Sequence, residues 1–163
     1  MQKITPSLWF DTEAEEAASF YVEVFKDARI LNKTHYTEAG PREAGTVMTV
    51  EFELNGQRFV GINGGPQFPF SEAVSFQVTC DSQEELDSYW ERLSAGGEEG
   101  PCGWCKDKYG LSWQVVPTGM EELFSDPDTS RAQRAMQAMF GMKKLDIAAL
   151  KAAADGVAAG SVR

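Results

Sequence analysis

The spacing of two cysteines is the first feature that could support chemistry. Cys102 and Cys105 stand as C-G-W-C, the spacing of redox pairs and of zinc knuckles. A reactive pair needs a helix directly after it to lower the thiol pKa, but residues 106–116 predict a turn and a strand. A zinc knuckle needs two further ligands, and Cys80 and His35 are single and distant in the sequence. We interpret the pair as structural, with Cys102 left open as a thiol that is reactive or that faces a substrate.

A single histidine limits the metal and acid–base chemistry that is open to the chain. It excludes sites that need two or more histidines, which removes most mononuclear zinc enzymes and the irons held by two histidines and a carboxylate. His35 stands among polar residues on a predicted strand edge, so we expect it to be solvated or structural. Because the pKa of imidazole lies near neutrality, a catalytic role stays open.

A glycine-rich run, Gly61 to Gly65, has the sequence GINGG. It matches neither the dinucleotide fingerprint nor a Walker loop, and no helix clearly begins after it to offer its N-terminus to a phosphate. We interpret it as a tight connector. A usual S-adenosylmethionine site needs a doubly wound sheet with a glycine-rich loop after its first strand, and the chain predicts neither.

Length and charge bound the remaining classes of function. The chain has 163 residues, 25 acidic against 15 basic side chains and a formal net charge of −10. This acidic balance argues against a nucleic acid or an anionic membrane as partner. Residues 1–10 do not resemble a signal peptide, and no apolar run reaches the ~20 residues of a membrane span. With three cysteines and no disulfide framework, we expect a cytoplasmic protein with reduced thiols.

Hydrophobic periodicity predicts the elements that must position these residues. Ile4 to Phe10 predicts a strand, and Thr12 with Glu15 predicts a capping box that starts a helix. Residues 28–36 predict a second strand. Alternation over residues 48–54, followed by Asn55-Gly56, predicts a hairpin with a type I′ turn.

The second half repeats the first. Residues 74–80 alternate as a strand, Ser82 and Glu85 form a second capping box, and strands are expected near residues 102–106 and 111–117. The repeat is β-α-β-β-β, which predicts an α+β fold of two modules. The predicted boundaries are about 2–63 for module one, about 73–117 for module two and about 120–156 for a helical tail, whose helices start at Asp126 or Asp128 and at Asp146.

Paired β-α-β-β-β modules are similar to the vicinal oxygen chelate superfamily, which holds glyoxalases, bleomycin-resistance proteins and extradiol dioxygenases. Long motifs such as ITPSLWFDTEAEEAASFY, KDKYGLSWQVVP and DPDTSRAQRAMQAMFGMKKLDIAAL resemble the PhnB-like family labelled 3-demethylubiquinone-9 3-methyltransferase. The resemblance covers about residues 3–155. It implies the paired-module fold with a C-terminal helical extension, and a homodimer.

The resemblance also implies where metal ligands would stand. Active members of the superfamily place a ligand early in the first strand of each module and a carboxylate in the last strand. The corresponding positions here are Ile4, Val74, Val60 and Gln114. Three of the four are aliphatic and cannot coordinate a divalent cation. We therefore expect no metal of the usual type and assign no cofactor.

In modules of this kind, inward aromatic side chains can line a concave pocket for a flat, apolar ligand. The alternative for these aromatics is ordinary core packing. The candidate pocket residues, aromatic and polar, are Trp9, Phe52, Asn63, Gln77, Cys102, Trp104, Trp113 and Gln114.

Two functions of different class follow. The first is metal-free binding of an unidentified small molecule, aromatic or apolar, in such a pocket. The alternative is an enzyme, either a non-classical methyltransferase acting on a quinone-like phenol or a metal-assisted isomerase or lyase. A structural dimer without a ligand is the third possibility.

Overall fold

The computed structural model describes residues 3–157. The chain divides into two compact units at the Phe70–Ser71 bond, and in the described range each unit contains one four-stranded sheet. The predicted α+β class with a C-terminal helical extension is confirmed. Within residues 3–157, no helix is long and apolar enough to span a membrane.

The first unit consists of β1 (Ser7–Phe10), α1 (Ala14–Val24), β2 (Ala28–His35), β3 (Val47–Leu54) and β4 (Gln57–Asn63). Its sheet has the order β1-β4-β3-β2, with β1 parallel to β4 and the other pairs antiparallel. Buried residues alternate along the second half of β3, and the ring of Phe52 stacks on Tyr21 of α1 at 5.9 Å between centroids. The period-two pattern of β3 thus supplies the core beneath α1.

Asn55 and Gly56 form the predicted two-residue turn between β3 and β4. Both have positive φ angles, 47° and 81°, as a type I′ turn requires. The strand predicted from Ile4 is shorter than expected, since β1 begins only at Ser7. Pro6, which has no N–H to donate, directly precedes it, and Ile4 is 86% exposed.

The predicted capping box at Thr12 and Glu15 is wrong. The residue that precedes α1 is Glu13, and its side chain makes no capping hydrogen bond to the helix. Instead, the N–H of Ala14 donates to Oδ1 of Asn63 at 2.8 Å. Asn63 comes from the far end of β4, so the first turn of α1 is satisfied by a residue that local sequence cannot reveal.

The second unit repeats this topology and extends it. It consists of β5 (Ser75–Cys80), α2 (Gln83–Ser94), β6 (Glu98–Glu99), β7 (Trp104–Lys106) and β8 (Ser112–Pro117), followed by α3 (Met120–Phe124), α4 (Thr129–Phe140) and α5 (Ile147–Ala154). Its sheet has the order β5-β8-β7-β6, with β5 parallel to β8. The repeated β-α-β-β-β arrangement is therefore confirmed.

The start of α2 follows the predicted capping box. Ser82 Oγ accepts from the N–H of Glu85 at 3.1 Å, and the Glu85 carboxylate accepts from the N–H of Asp81 at 2.9 Å. The first bond satisfies a backbone donor that a helix start leaves free, and the second holds the residue that precedes the cap.

The helical tail contains α3 in addition to the two predicted helices. Asp128 and Asp146 cap α4 and α5 as expected: Asp128 accepts from the N–H groups of Ser130 and Arg131, and Asp146 from that of Ala149. The extra helix, α3, is only five residues long and follows Gly119 in a left-handed conformation. A helix this short has too few turns to show a periodic apolar face.

The strand predicted near Cys102 begins two residues later, at Trp104. Cys102 and Gly103 both have positive φ angles, 58° and 83°, and form a turn closed by the N–H of Trp104 and the carbonyl of Pro101 at 3.0 Å. A left-handed backbone cannot continue a strand.

Candidate functional site

One face of the sheet in the second unit lines a cavity. Residues at every second position of β8, namely Ser112, Gln114 and Val116, belong to its lining, whereas Trp113 and Val115 do not. Since side chains alternate across a strand, this set is one face of β8. The cavity has a volume of about 670 Å³, within the range of small-molecule sites.

Strand register arranges this face in rows. Ser112 lies opposite Ser75 on one side and Lys106 on the other, and Lys106 lies opposite Glu98, so these four form a polar row. The next row, two residues along β8, consists of Gln77, Gln114 and Trp104. Val116 follows at the end of β8 where α3 begins. The face therefore changes from polar to apolar along the strand direction.

The helical tail also contributes to the lining of the cavity. Its lining residues are Met120, Glu121 and Phe124 of α3 and Met139 and Phe140 of α4. The methionine and phenylalanine side chains form an adaptable apolar surface that needs no hydrogen-bond partners. Phe140 is 65% exposed, so this lining residue also faces solvent.

Side-chain and backbone hydrogen bonds hold the tail against the module. The Gln83 amide donates to the carbonyl of Leu145 at 3.0 Å and accepts from the N–H of Ile147 at 2.8 Å. The N–H of Cys102 donates to the carbonyl of Met142 at 2.8 Å. Leu145 itself is fully buried. The tail is thus fixed at the segment between α4 and α5, which orients the end of α4 toward the cavity.

Ser112 carries an unpartnered hydroxyl in the lining of the cavity. The residue is 1% exposed, and its Oγ has no hydrogen-bond partner among the described residues. A buried hydroxyl without a partner costs about 1–3 kcal/mol. The neighbouring Ser75 hydroxyl, by contrast, accepts from the Gln114 amide at 2.9 Å.

Three carboxylates and one ammonium group line the same cavity: Glu72, Glu98, Glu121 and Lys106. Lys106 forms an ion pair with Glu72 and lies 4.0 Å from Glu98. The hydrogen bond between Lys106 and Glu72 lowers the pKa of the Glu72 carboxyl and raises the pKa of the Lys106 amine. Both partners of the pair are therefore held in their charged forms.

Comparison with known proteins identifies the family. A sequence model of the family described as 3-demethylubiquinone-9 3-methyltransferase matches residues 2–116. The PhnB protein from Bacillus cereus is 38% identical over 72% of this chain and 100% of its own, with a TM-score of 0.65. The chain belongs to this PhnB-like family. The resemblance of the sequence to the PhnB-like family is thereby confirmed.

Two more distant structures share the fold alone. PA1353 from Pseudomonas aeruginosa is 19% identical over 72% of this chain and 98% of its own, with a TM-score of 0.59. The fosfomycin resistance protein FosX from Listeria monocytogenes is 16% identical over 75% of this chain and 97% of its own, with a TM-score of 0.53. No protein of curated function matches the chain. The family match ends at residue 116, so α3, α4 and α5 lie beyond it.

The side chains at the superfamily's metal positions do not fit a divalent cation. In the first unit, Ile4 is 86% exposed and lies outside β1, and Val60 is aliphatic. In the second unit, Val74 is 62% exposed and lies outside β5, and Gln114 is the one polar side chain. Among residues 3–157, no three His, Cys, Asp or Glu side chains are grouped as metal ligands. An aliphatic side chain has no lone pair to donate.

Four of the eight candidate pocket residues come together in this cavity: Gln77, Cys102, Trp104 and Gln114. Trp113 lies on the other face of β8, where it is 2% exposed. Its indole N–H donates to Oδ2 of Asp107 at 2.9 Å.

The other three candidates, Trp9, Phe52 and Asn63, belong to the first unit. The Trp9 indole N–H donates to the carbonyl of Gly65 at 2.8 Å. Phe52 is 1% exposed and stacks on Phe59 at 5.4 Å. Asn63 caps α1 and also donates to the carbonyl of Val47 at 3.1 Å. Phe52 and Asn63 are thus buried in the first unit, and Trp9 is half-buried there.

Sequence reasoning missed Ser112, Lys106 and the tail residues of the cavity. Ser112 could have been found from its spacing, because it stands two positions before Gln114 on one predicted strand. The residues that α3 and α4 contribute could not have been found from the sequence, since their place in the lining depends on where the tail docks. His35 is exposed at the end of β2, in the first unit.

The three cysteines are free thiols in different surroundings. Cys102 lines the cavity and is half-buried. Burial raises the pKa of the Cys105 thiol to about 12 and that of Cys80 to about 12. No helix follows the C-x-x-C segment, which continues as β7. Cys105 therefore lacks the low pKa that a thioredoxin-like pair requires.

Proposed function

We propose that the protein binds a small, largely apolar molecule in the cavity of its second unit. The observation that carries the proposal is the unpartnered hydroxyl of Ser112 in the lining of a 670 Å³ cavity. Ligand sites combine apolar walls with a few polar groups that fix orientation, and Ser112, Gln77 and Gln114 would be those groups. A flat body would lie between Trp104 and the methionine and phenylalanine side chains of the tail.

Because the family match ends before the tail begins, the ligand preference of this chain would depend on residues that the family match does not include. Met120, Phe124, Met139 and Phe140 make up the apolar part of the tail lining. We expect their volumes to set the size of the ligand.

A fluorescent probe tests the proposal directly. N-phenyl-1-naphthylamine is uncharged at neutral pH and brightens in apolar surroundings, so titration should give a saturable rise in emission. Met139→Trp, which fills the cavity from α4, should abolish the rise. Gln133→Trp places the same side chain on the exposed side of α4 and should leave it intact. An absence of saturable binding to the unmodified protein, or equal binding by both variants, would count against the site.

The enzyme alternative rests on the description of the family, which names a methyltransferase. Thermal unfolding with S-adenosylmethionine tests it, since a ligand of the folded state raises the melting temperature. A saturable rise, lost in Met139→Trp, would assign the cavity to the methyl donor. An unchanged melting temperature would leave the binding function as proposed.

The homodimer and the cytoplasmic location remain predictions. The edge strand β2 is eight residues long and carries Leu31 at 37% exposure, and an unpaired edge of this kind can add a second chain. Sedimentation equilibrium should give twice the 18.0 kDa mass of one chain. A mass of one chain at all concentrations would contradict the dimer.

A further inference from the structure

The cavity lining contains more negatively charged than positively charged side chains. Glu72, Glu98 and Glu121 oppose the single ammonium group of Lys106 in its lining. The Lys106 ammonium is already engaged, since it pairs with Glu72 and lies within 4.0 Å of Glu98. The lining therefore presents carboxylate oxygens, which only accept hydrogen bonds, in excess over cationic donors.

The unpartnered Ser112 hydroxyl lies beside these charges. Ser112 is opposite Lys106 in the register of β7 and β8, and Lys106 is opposite Glu98. Ser112 Oγ is buried and has no hydrogen-bond partner among the described residues. A hydroxyl oxygen can accept a hydrogen bond from an ammonium N–H. The polar row thus holds a buried acceptor beside Lys106 and in line with Glu98, while Glu72 joins the row through its ion pair with Lys106.

The other end of the cavity offers surfaces that favour cations and apolar groups alike. Trp104, Phe124 and Phe140 line it, and aromatic faces attract ammonium groups. Val116 and the tail methionines bury apolar carbon. A molecule with one apolar end and one positive end would match both parts of the lining.

We propose that the preferred ligand is a hydrophobic cation, a flat aromatic body that carries a protonated amine. The amine lies at the polar row, where Ser112 Oγ, Glu72 and Glu98 accept its hydrogen bonds, and the aromatic body lies against Trp104 and the tail. The assignment rests on the proposed binding function and gives its ligand class.

The effect of removing Lys106 distinguishes a site for a cationic ligand from a site for an anionic one. A site for an anion would use Lys106 as its anchor, and would be weakened when that residue is removed. In the site proposed here, Lys106 competes with the ligand for Glu72 and Glu98. Lys106→Gln should therefore strengthen the binding of a cation. Lys106 is partly exposed, so this substitution leaves the core unchanged.

Three ligands with the same aromatic body provide the test. The affinities of 1-naphthylmethylamine, 1-naphthalenemethanol and 1-naphthoate are measured by calorimetry near neutral pH. The carboxylates are exposed at the edge of the cavity, so the effect is moderate: the amine should bind about fivefold more tightly than the alcohol, and the acid most weakly. Added salt should narrow the difference between the amine and the alcohol.

Substitutions of Glu98, Lys106 and Ser112 test whether these side chains cause the preference for the amine over the alcohol. Glu98→Gln should weaken the amine about threefold and leave the alcohol unchanged, and Lys106→Gln should tighten the amine by a similar factor. Glu84→Gln removes an exposed carboxylate of α2 outside the cavity and is the matched control. Ser112→Ala should weaken both the amine and the alcohol.

The outcomes distinguish the two proposals. If the alcohol or the acid binds as tightly as the amine, or if Lys106→Gln weakens the amine, the cationic ligand class is wrong while the binding function stands. If none of the three ligands binds while N-phenyl-1-naphthylamine does, the ligand class is wrong and the binding function stands. If the fluorescent probe fails to bind as well, the binding function itself is overturned, and the ligand class with it.

Discussion

The indole N–H of Trp113 donates a hydrogen bond to Oδ2 of Asp107 at 2.9 Å, in the core of the second unit. Asp107 is 2% exposed. Its other carboxylate oxygen accepts the backbone N–H groups of Tyr109 and Leu111 at 2.9 and 3.1 Å. One buried carboxylate thus closes the turn between β7 and β8 and orients the largest side chain of β8 away from the cavity.

Asp107→Ala should therefore destabilise the protein strongly. It leaves the indole N–H and two backbone N–H groups without their acceptor, which we expect to lower the free energy of unfolding by about 3 kcal/mol. Asp107→Asn keeps one acceptor oxygen and should lose less. Urea denaturation measures both, as a shift of the midpoint at constant m-value. A midpoint for Asp107→Ala equal to that of the unmodified protein would contradict this role.

Asn63→Ala should destabilise the first unit through the start of α1. Asn63 is 6% exposed, and its amide bonds to both Ala14 and Val47. The loss of a helix cap and of a buried hydrogen bond should cost about 2–3 kcal/mol. Asn32→Ala, on the exposed part of β2, is the control and should change the midpoint little. Urea denaturation of the two variants in parallel decides the point.

The repeated module could be predicted because its signals are local. The alternation of β3, the Asn55-Gly56 turn and the Ser82–Glu85 capping box each lie within a few residues of sequence, and each is confirmed by the structure. The cap of α1 could not be predicted in this way, because Asn63 is 49 residues from Ala14. A competing local pattern at Thr12 predicted the wrong residue.

Part of the cavity lining could also be predicted, because strand periodicity is a local signal in the sequence. Gln77, Trp104 and Gln114 share one face because strand periodicity and register place them there. Trp9 and Phe52 lie in the first unit, where Phe52 stacks in the core and the half-buried Trp9 bonds to Gly65. Composition cannot distinguish such packing aromatics from those that line a cavity. The tail lining depends on the docking of α4, which is set by hydrogen bonds from Gln83 to residues 62 and 64 positions away.

Thiol labelling should distinguish Cys102 from the other two cysteines. Cys102 lines the cavity, whereas Cys80 is fully buried and Cys105 is 2% exposed. Burial also raises the pKa of Cys80 and of Cys105 to about 12, which leaves almost no thiolate near neutral pH. Native protein should react at one thiol, Cys102→Ala at none, and urea-unfolded protein at all three cysteines. Mass spectrometry of intact chains counts the labels; rapid labelling of Cys105 in native protein would contradict the prediction.

The same two buried thiols predict a loss of stability in alkali. Their pKa is about 12 in the folded protein against a reference value of 9.0. Since the folded pKa is the higher one, the stability is complete below pH 9 and is lost as the pH rises from about 9 to 12. Each thiol contributes a slope of up to about 1.4 kcal/mol per pH unit in that window. Urea denaturation at several pH values measures the slope, and Cys105→Ala should reduce it; an unchanged slope would contradict the assignment.

Gln83→Ala should release the helical tail while leaving the sheet intact. The Gln83 amide is bonded to Leu145 and Ile147 in the segment between α4 and α5, and also to Asp87 on its own helix. The loss of these bonds should destabilise the docked tail by about 1–2 kcal/mol. Amide exchange should then accelerate in residues 142–154 and stay slow in β8, because local opening reports the stability of the segment that opens.

The same substitution connects the tail to the cavity. Met139 and Phe140 form one side of the cavity only while α4 is docked, so Gln83→Ala should also weaken the binding of N-phenyl-1-naphthylamine. Gln133→Ala, on the exposed side of α4, is the control and should change neither the exchange nor the binding. Faster exchange of the tail with unchanged probe affinity would show that the ligand lies on the sheet alone, and that the tail does not shape the site.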